Sequence, residues 1–179
     1  MTGSTSGERA AELRTAFDAC FAAPFRGSAP ETVALLLVRV GPHDYAIRVS
    51  DLSGLVSGRK IAPLPSGRSE LLGLAGIRGS VVAVYGLAAV LGHPPQVLDS
   101  PWLALAGAPE PVGFAFDALQ GFLRVEAGLI HGADPAEPIR GHVREVVRVG
   151  AATRRVIDVR GAVLALEQRA GEPGTAKER

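Results

Sequence analysis

The sequence predicts an all-β domain with short helices, in which two small barrels of similar design share one core. From Val33 onward, short segments rich in Val, Leu, Ile and aromatic residues alternate with turn residues at intervals of about ten residues, as in barrels and sandwiches. A shift of 67 residues also aligns two hairpins and the strands that follow them. A long period that occurs only twice favours two barrels over a solenoid. A chance likeness between two generic hairpins is the alternative.

The aligned residues of the two copies are mostly apolar, with one glycine in each copy. Leu36, Val38, Ile47, Val49, Leu52, Gly54, Leu55 and Val56 fall on Leu103, Leu105, Phe114, Phe116, Leu119, Gly121, Phe122 and Leu123.

The individual elements are predicted from alternating apolar runs and from the Gly and Pro residues that bound them. Strands are predicted at 33–40, 45–49, 53–59 and 80–85 in the first half, and at 102–106, 112–116, 121–125, 143–149 and 154–157 in the second. Short helices are predicted at 87–91 and 162–169. The segment 57–69 is interpreted as a surface loop, because its Gly, Lys and Ser lack the order of a phosphate-binding loop.

The two ends of the chain differ from this pattern. Apolar residues at spacings of three and four predict a helix at 8–23, which Pro24 ends, followed by a linker. The last residues, 171–179, are typical of a disordered tail. The predicted organisation is therefore a helix and linker at 1–31, a domain at 32–170 divided near 92–101, and a tail at 171–179.

Composition excludes several classes of protein. The chain has 179 residues, 19 basic and 18 acidic, so its net charge of +1 draws it neither to nucleic acid nor to anionic lipid. Its single cysteine, Cys20, cannot form an internal disulfide, and no Cys/His cluster has zinc spacing. The N-terminal residues lack an apolar signal core, and the longest apolar stretches, 33–38 and 81–91, are too short for a membrane helix. We therefore expect a cytoplasmic protein without direct membrane insertion.

A search for reactive groups finds no catalytic site. The acidic residues are scattered without the close pairing that acid/base catalysis needs, and we predict no catalytic residue, no cofactor and no metal. An arginine-rich stretch late in the domain is the one feature that suggests a small nucleic-acid-binding barrel. It lacks aromatic stacking partners, so no nucleic-acid partner is expected. Its members are Arg144, Arg148, Arg154, Arg155 and Arg160.

One segment carries a family resemblance. It reads Gly76-Ile77-Arg78-Gly79-Ser80-Val81-Val82-Ala83-Val84-Tyr85-Gly86-Leu87. This run resembles the hallmark of the CheW-like family of chemotaxis coupling proteins: Asn-Leu-Arg-Gly, three mainly apolar residues, Pro, two more residues and Asp-Leu. Arg78, Gly79 and Leu87 match in register. Gly76, Ala83 and Gly86 replace the asparagine, the proline and the aspartate. Other landmarks follow in the family's order, and the similarity spans about residues 32–168. They are 45–47 (Tyr-Ala-Ile), 113–117 (Gly-Phe-Ala-Phe-Asp) and 156–159 (Val-Ile-Asp-Val).

The resemblance implies two five-stranded SH3-like barrels and a non-enzymatic adaptor. Such an adaptor joins the cytoplasmic tip of a methyl-accepting chemotaxis receptor to the regulatory domain of a CheA-type histidine kinase. It also implies a partner-binding site at Ile77, Arg78, Gly79 and Ser80, with Arg78 as the receptor-facing contact. A purely structural role for Arg78 within its own domain is the alternative. Because three motif positions differ, a divergent adaptor that binds the receptor but not the kinase, and so modulates array assembly, also remains open.

Overall fold

The computed structural model of the protein describes residues 31–95, 101–107, 110–133 and 141–171. Within these ranges the chain forms strands and two helices, which confirms the predicted all-β class. The strands are β1 (Thr32–Val40), β2 (His43–Arg48), β3 (Gly54–Ser57), β4 (Leu71–Ile77), β5 (Ser80–Gly86), β6 (Trp102–Ala106), β7 (Val112–Phe116), β8 (Ala118–Glu126), β9 (Ile130–Gly132), β10 (Val143–Val149) and β11 (Ala152–Ile157). The helices are α1 (Leu87–Val90) and α2 (Val159–Gly171). Neither helix has the length and apolar character needed to cross a lipid bilayer.

The strands form two sheets that correspond strand for strand. Sheet A has the order β8-β1-β2-β11-β10-β9, and sheet B has the order β3-β6-β7-β5-β4. Each sheet contains one parallel pair, β11 with β2 and β5 with β7, at the same place in the order. The sequence repeat is therefore a structural repeat. Sheet A has six strands rather than the five implied by the resemblance, because β9 adds a short strand; in sheet B a single bridge from Ala62 to Leu74 occupies the matching place.

The third strand of each copy crosses to the other sheet. β3 follows β2 in the chain but pairs with β6, so that Leu55 lies opposite Ala104. β8 follows β7 but pairs with β1, so that Phe122 lies opposite Leu36. The strands that follow remain in the new sheet: β4 and β5 lie in sheet B with β3, and β9, β10 and β11 lie in sheet A with β8. Each sheet therefore combines strands from both halves of the chain. The predicted division near 92–101 lies partly outside the described residues and stays a prediction, as do the predicted helix at 8–23, the linker and the tail, which lie outside them almost entirely.

Three groups of buried side chains hold the two sheets. One lies inside sheet B: Ala75, Ile77, Val82, Val84, Leu103, Leu105 and Ala115. A second lies inside sheet A: Leu35, Ala46, Val125, Val147 and Val156. The third draws on both sheets and both helices and includes Leu36, Ile47, Leu87, Phe114, Phe116, Ile157 and Leu166. Because successive strand residues point to opposite faces, Leu35 enters the interior of sheet A while Leu36 enters the shared core.

A hydrogen bond at the edge of the shared core joins sheet A to the segment that follows α1. Tyr45 on β2 is 3% exposed, and its hydroxyl lies 2.7 Å from Nε2 of His93, which follows α1. His43 stacks on the same imidazole with the ring centroids 4.8 Å apart. Burial raises the pKa of Tyr45 above its usual value, although the neighbouring Arg155 opposes the shift. The phenol therefore stays protonated and is available to donate to His93.

The two helices begin differently. Asp158 precedes α2, and its Oδ1 accepts a hydrogen bond of 2.8 Å from the backbone N–H of Gly161, which satisfies one of the free donors of the first turn. Gly86 holds the matching position before α1 and provides no side-chain cap. α1 is only four residues long, whereas α2, which begins at Val159 rather than at the predicted Ala162, has thirteen.

Strand β4 was not among the predicted strands, and its glycines explain why. Its sequence, LLGLAGI, has no β-branched residue before Ile77. Gly73 lies where the pairing with β5 shifts register, with φ +145°, and a methyl group there would lie 2.0 Å from the carbonyl oxygen of Ala62. Glycine is required at this bulge because the loop after β3 passes directly against the strand. The short β9 was also missed.

Gly73→Ala is expected to lower the free energy of unfolding by at least about 3 kcal/mol, because the new Cβ collides with backbone and the φ value is unfavourable for L residues. Chemical denaturation measures the change. Gly76→Ala, in the same strand, is the control: its methyl group would have nothing within 4 Å, so its effect should stay within about 1 kcal/mol. Equal effects of the two substitutions would contradict this account.

His142 gives the fold a pH dependence. Burial lowers the pKa of this side chain below 6.5, Arg169 and Arg144 act in the same direction, and Asp158 opposes them. The unfolded chain therefore binds a proton at His142 more readily than the fold does. The free energy of unfolding should fall as the pH drops from about 7 through 6.5, and level off below the folded pKa. Denaturation of the wild type and of His142→Gln between about pH 7 and 5 tests this, since the wild type should lose more stability. Parallel curves would exclude the effect.

Candidate functional site

The turn between β4 and β5 is a tight two-residue hairpin. Ile77 pairs with Ser80, and Arg78 and Gly79 form the turn with φ values of +51° and +83°. Two left-handed residues in succession are typical of a type I′ turn, which matches the twist of the strands and favours Asn-Gly. Within the described ranges, Arg78 is the only residue other than glycine with positive φ. This conformation costs about 1–2 kcal/mol for a residue with a side chain.

The Arg78 side chain is exposed and extends over the far edge of sheet B. A methyl group on Gly54 would lie 3.8 Å from its Nη2. Because β3 and β4 are opposite edges of sheet B, this proximity means that the sheet curls until its edges approach each other. In the described part of the chain, the guanidinium makes no hydrogen bond and no ion pair. Its donors are therefore available to another molecule.

The neighbours of Arg78 supply a small, mixed surface. Gly79 and Ser80 are exposed beside it, and Val81 is 74% exposed, one of the most open apolar side chains described. Opposite Val81 on β4 stands Gly76, where a methyl group would meet nothing within 4 Å. Ile77 differs from the other predicted site residues because it is 3% exposed and packs inside sheet B. Ile77 therefore anchors the turn by packing in the core of sheet B.

This surface suits contact with a protein. No cluster of three His, Cys, Asp or Glu side chains that would hold a metal occurs among the described residues. A planar guanidinium with five donors, beside an apolar valine and an open glycine, matches carboxylates or backbone carbonyls of a docked segment. We refer to Arg78, Gly79, Ser80 and Val81 as the hairpin-tip site.

Sequence reasoning missed two contributors to the site. Val81 lies within the motif, but its exposure depends on which face of β5 it occupies. Gly54 is distant in sequence and was marked only by its place in the repeat. Of the three motif departures, only Gly76 lies beside the hairpin-tip site, where it is exposed on β4. Ala83 pairs with Leu74 in the middle of β5, and Gly86 lies at the opposite end of β5, before α1.

The arginine-rich stretch does not form an open basic surface. Arg144 pairs with Asp158 at 3.1 Å, and Arg160 pairs with Asp51 at 2.8 Å. Arg154 lies 3.6 Å from Asp44 and also donates to Gln120. Ion pairing therefore neutralises much of the charge that made a nucleic-acid-binding barrel a candidate.

Comparisons with known proteins agree with this architecture. The CheW-like domain model matches residues 34–167. The crystal structure of the scaffolding protein TtCheW from Thermoanaerobacter tengcongensis superimposes with a TM-score of 0.64, covering 72% of this chain and 90% of that chain at 15% sequence identity. A search of curated protein sequences finds no match.

The family match spans strands of both sheets and most of α2, as well as the hairpin-tip site. Members of this family are non-enzymatic scaffolds, which agrees with the prediction from the sequence that the chain is not an enzyme. Since the match covers well over half of its residues, the chain belongs to the CheW-like family.

Proposed function

We propose that the protein is a chemotaxis adaptor that couples the cytoplasmic tip of a methyl-accepting receptor to the regulatory domain of a CheA-type histidine kinase. Family membership supports a chemotaxis scaffold role in general. The observation that carries the specific proposal is Arg78, which is exposed, unpaired within the described residues and held in a left-handed conformation. Such a protein would act in the cytoplasm, clustered with receptor arrays.

The backbone of Arg78 supports a binding role over an internal one. A residue in an unfavourable conformation persists where the surrounding structure enforces it, and such residues concentrate at functional sites. An internal structural role would predict a salt bridge or carbonyl contact, which the described residues do not provide. The hairpin-tip site therefore fits a receptor helix that presents a carboxylate near a small apolar side chain.

A receptor-only adaptor is the second candidate, and Gly86 is the observation that favours it. The family's aspartate at this position would supply a charge and a cap, whereas here α1 begins without a side-chain cap and has four residues. The surface around α1 thus differs from that of typical members. If the kinase contacts this region, binding to the receptor remains while binding to the kinase is weak.

Arg78→Glu is expected to weaken binding to a receptor signalling tip at least about tenfold, because it replaces the free cation with a charge that repels carboxylates. Calorimetric titration against the receptor tip and, separately, against the kinase regulatory domain measures both partners. Arg148→Glu is the matched control, since Arg148 is exposed on β10 in sheet A and undergoes the same charge change. Its affinity should stay within about twofold of the wild type.

The two titrations distinguish the candidates. Binding of the wild type to both partners supports the coupling role, and binding to the receptor tip alone supports the receptor-only adaptor. Binding to neither, or equal losses in Arg78→Glu and Arg148→Glu, would rule out the proposed site. Salt-dependent retention on oligonucleotides would instead favour the nucleic-acid-binding barrel.

Arg78→Asn separates binding from stability. It creates the Asn-Gly pair preferred in type I′ turns, so the free energy of unfolding should rise by about 0.5–1 kcal/mol. Affinity for the receptor tip should fall, because the guanidinium is lost. Gly79→Ala is the opposite control and should destabilise the fold, since Gly79 has φ +83°. A more stable Arg78→Asn protein with unchanged affinity would show that Arg78 does not bind the receptor.

A further inference from the structure

Gly54 lies where the Arg78 guanidinium extends over the edge strand β3. A methyl group at this position would lie 3.8 Å from Arg78 Nη2 and 3.3 Å from Leu105 Cδ1. The backbone of Gly54 does not have positive φ, so its conformation is open to any residue. Glycine is therefore not needed here for the fold of the backbone. What it provides is space, on the side of the strand that the guanidinium covers.

The structural repeat supplies an internal comparison. Gly121 on β8 matches Gly54 in the repeat, and a methyl group there would have nothing within 4 Å. The turn that corresponds to Arg78–Gly79 joins β10 to β11 and consists of Gly150 and Ala151, neither of which has a long side chain. Both halves thus carry a glycine on the strand at which the chain crosses between the sheets, β3 or β8. Of the two matching turns, only the one in sheet B has an arginine that covers this glycine.

We propose that Gly54 is a positioning residue for partner binding: its missing side chain leaves a seat on which the Arg78 guanidinium lies flat across β3, with its donors directed away from the domain. This inference rests on the proposed function, and it names the residue that sets the orientation of the contact group. An arginine at the tip of a hairpin samples many rotamers, and ordering it only on binding costs free energy. Holding the guanidinium against the strand in the free protein removes part of that cost.

The effect on the position of Arg78 depends on the size of the side chain introduced at position 54. With alanine at 54, the methyl group would be in ordinary van der Waals contact with Nη2, and only Leu105 would need to move by a few tenths of an ångström. With valine, the two further methyl groups extend about 1.5 Å beyond Cβ and occupy the space of the guanidinium. Arg78 must then lift from the strand. Gly121→Val, at the matching position without an arginine, adds the same side chain in open space.

The experiment is titration of the full chain and its variants against a receptor signalling tip. Gly54→Val should weaken binding about tenfold, close to the loss in Arg78→Ala, whereas Gly54→Ala and Gly121→Val should stay within about twofold. In the Arg78→Ala background, Gly54→Val should cause no further loss. A purely structural role through Leu105 would instead reduce affinity equally with or without Arg78. Thermal unfolding of each variant shows whether the fold is retained.

A second measurement needs no partner. Nuclear Overhauser effects between the Arg78 guanidinium protons and the Gly54 α-protons should appear in the wild type and disappear in Gly54→Val. Their absence from the wild type, or wild-type affinity in Gly54→Val while Arg78→Ala loses binding, would overturn the positioning role and leave the proposed function intact. A wild-type chain that binds no receptor tip would overturn the proposed function and this inference with it.

Discussion

The crossing of the chain from one sheet to the other, at β3 and again at β8, is the constraint on which the rest of the structure depends. Without β8, β1 would become an edge strand of sheet A, and without β3, β6 would become an edge strand of sheet B. Backbone donors and acceptors left unpaired in this way are costly when buried. Neither half of the chain therefore contains a complete sheet, and both halves contribute side chains to each of the three buried cores.

The same crossing brings Gly54 close to the candidate site. Because β3 becomes the edge of sheet B, the curl of that sheet brings it to the turn at the end of β4, on the opposite edge. Gly54 and Arg78 are distant in the order of strands, yet the space above one is occupied by the side chain of the other. In sheet A, β8 carries the matching glycine, Gly121, but the turn at Gly150 has no long side chain that could extend across to it. The asymmetry lies in the side chains, while the backbone plan is common to both halves.

Local patterns predicted what local forces determine. The hairpins β1–β2 and β6–β7 have alternating apolar residues around a turn, and the repeat between them was visible because their inward positions match. Strand β4 was not predicted because its own residues have little β propensity. Pairing with β5 and the bridge to Ala62 in the loop after β3 hold it in place. The crossing between sheets could not be predicted, because the pairing of β3 with β6 and of β8 with β1 depends on packing between segments that are distant in sequence.

The motif at the turn was found from residue identity, but its strain was not. Within the described residues, every other positive φ belongs to glycine, so the chain follows the rule for left-handed positions except at Arg78. Natural sequences depart from local rules mainly at functional sites, where the gain lies outside the folded domain. Among the described residues, the guanidinium has no ion pair that would offset the cost of its backbone conformation. The proposed contact with a partner would account for both observations.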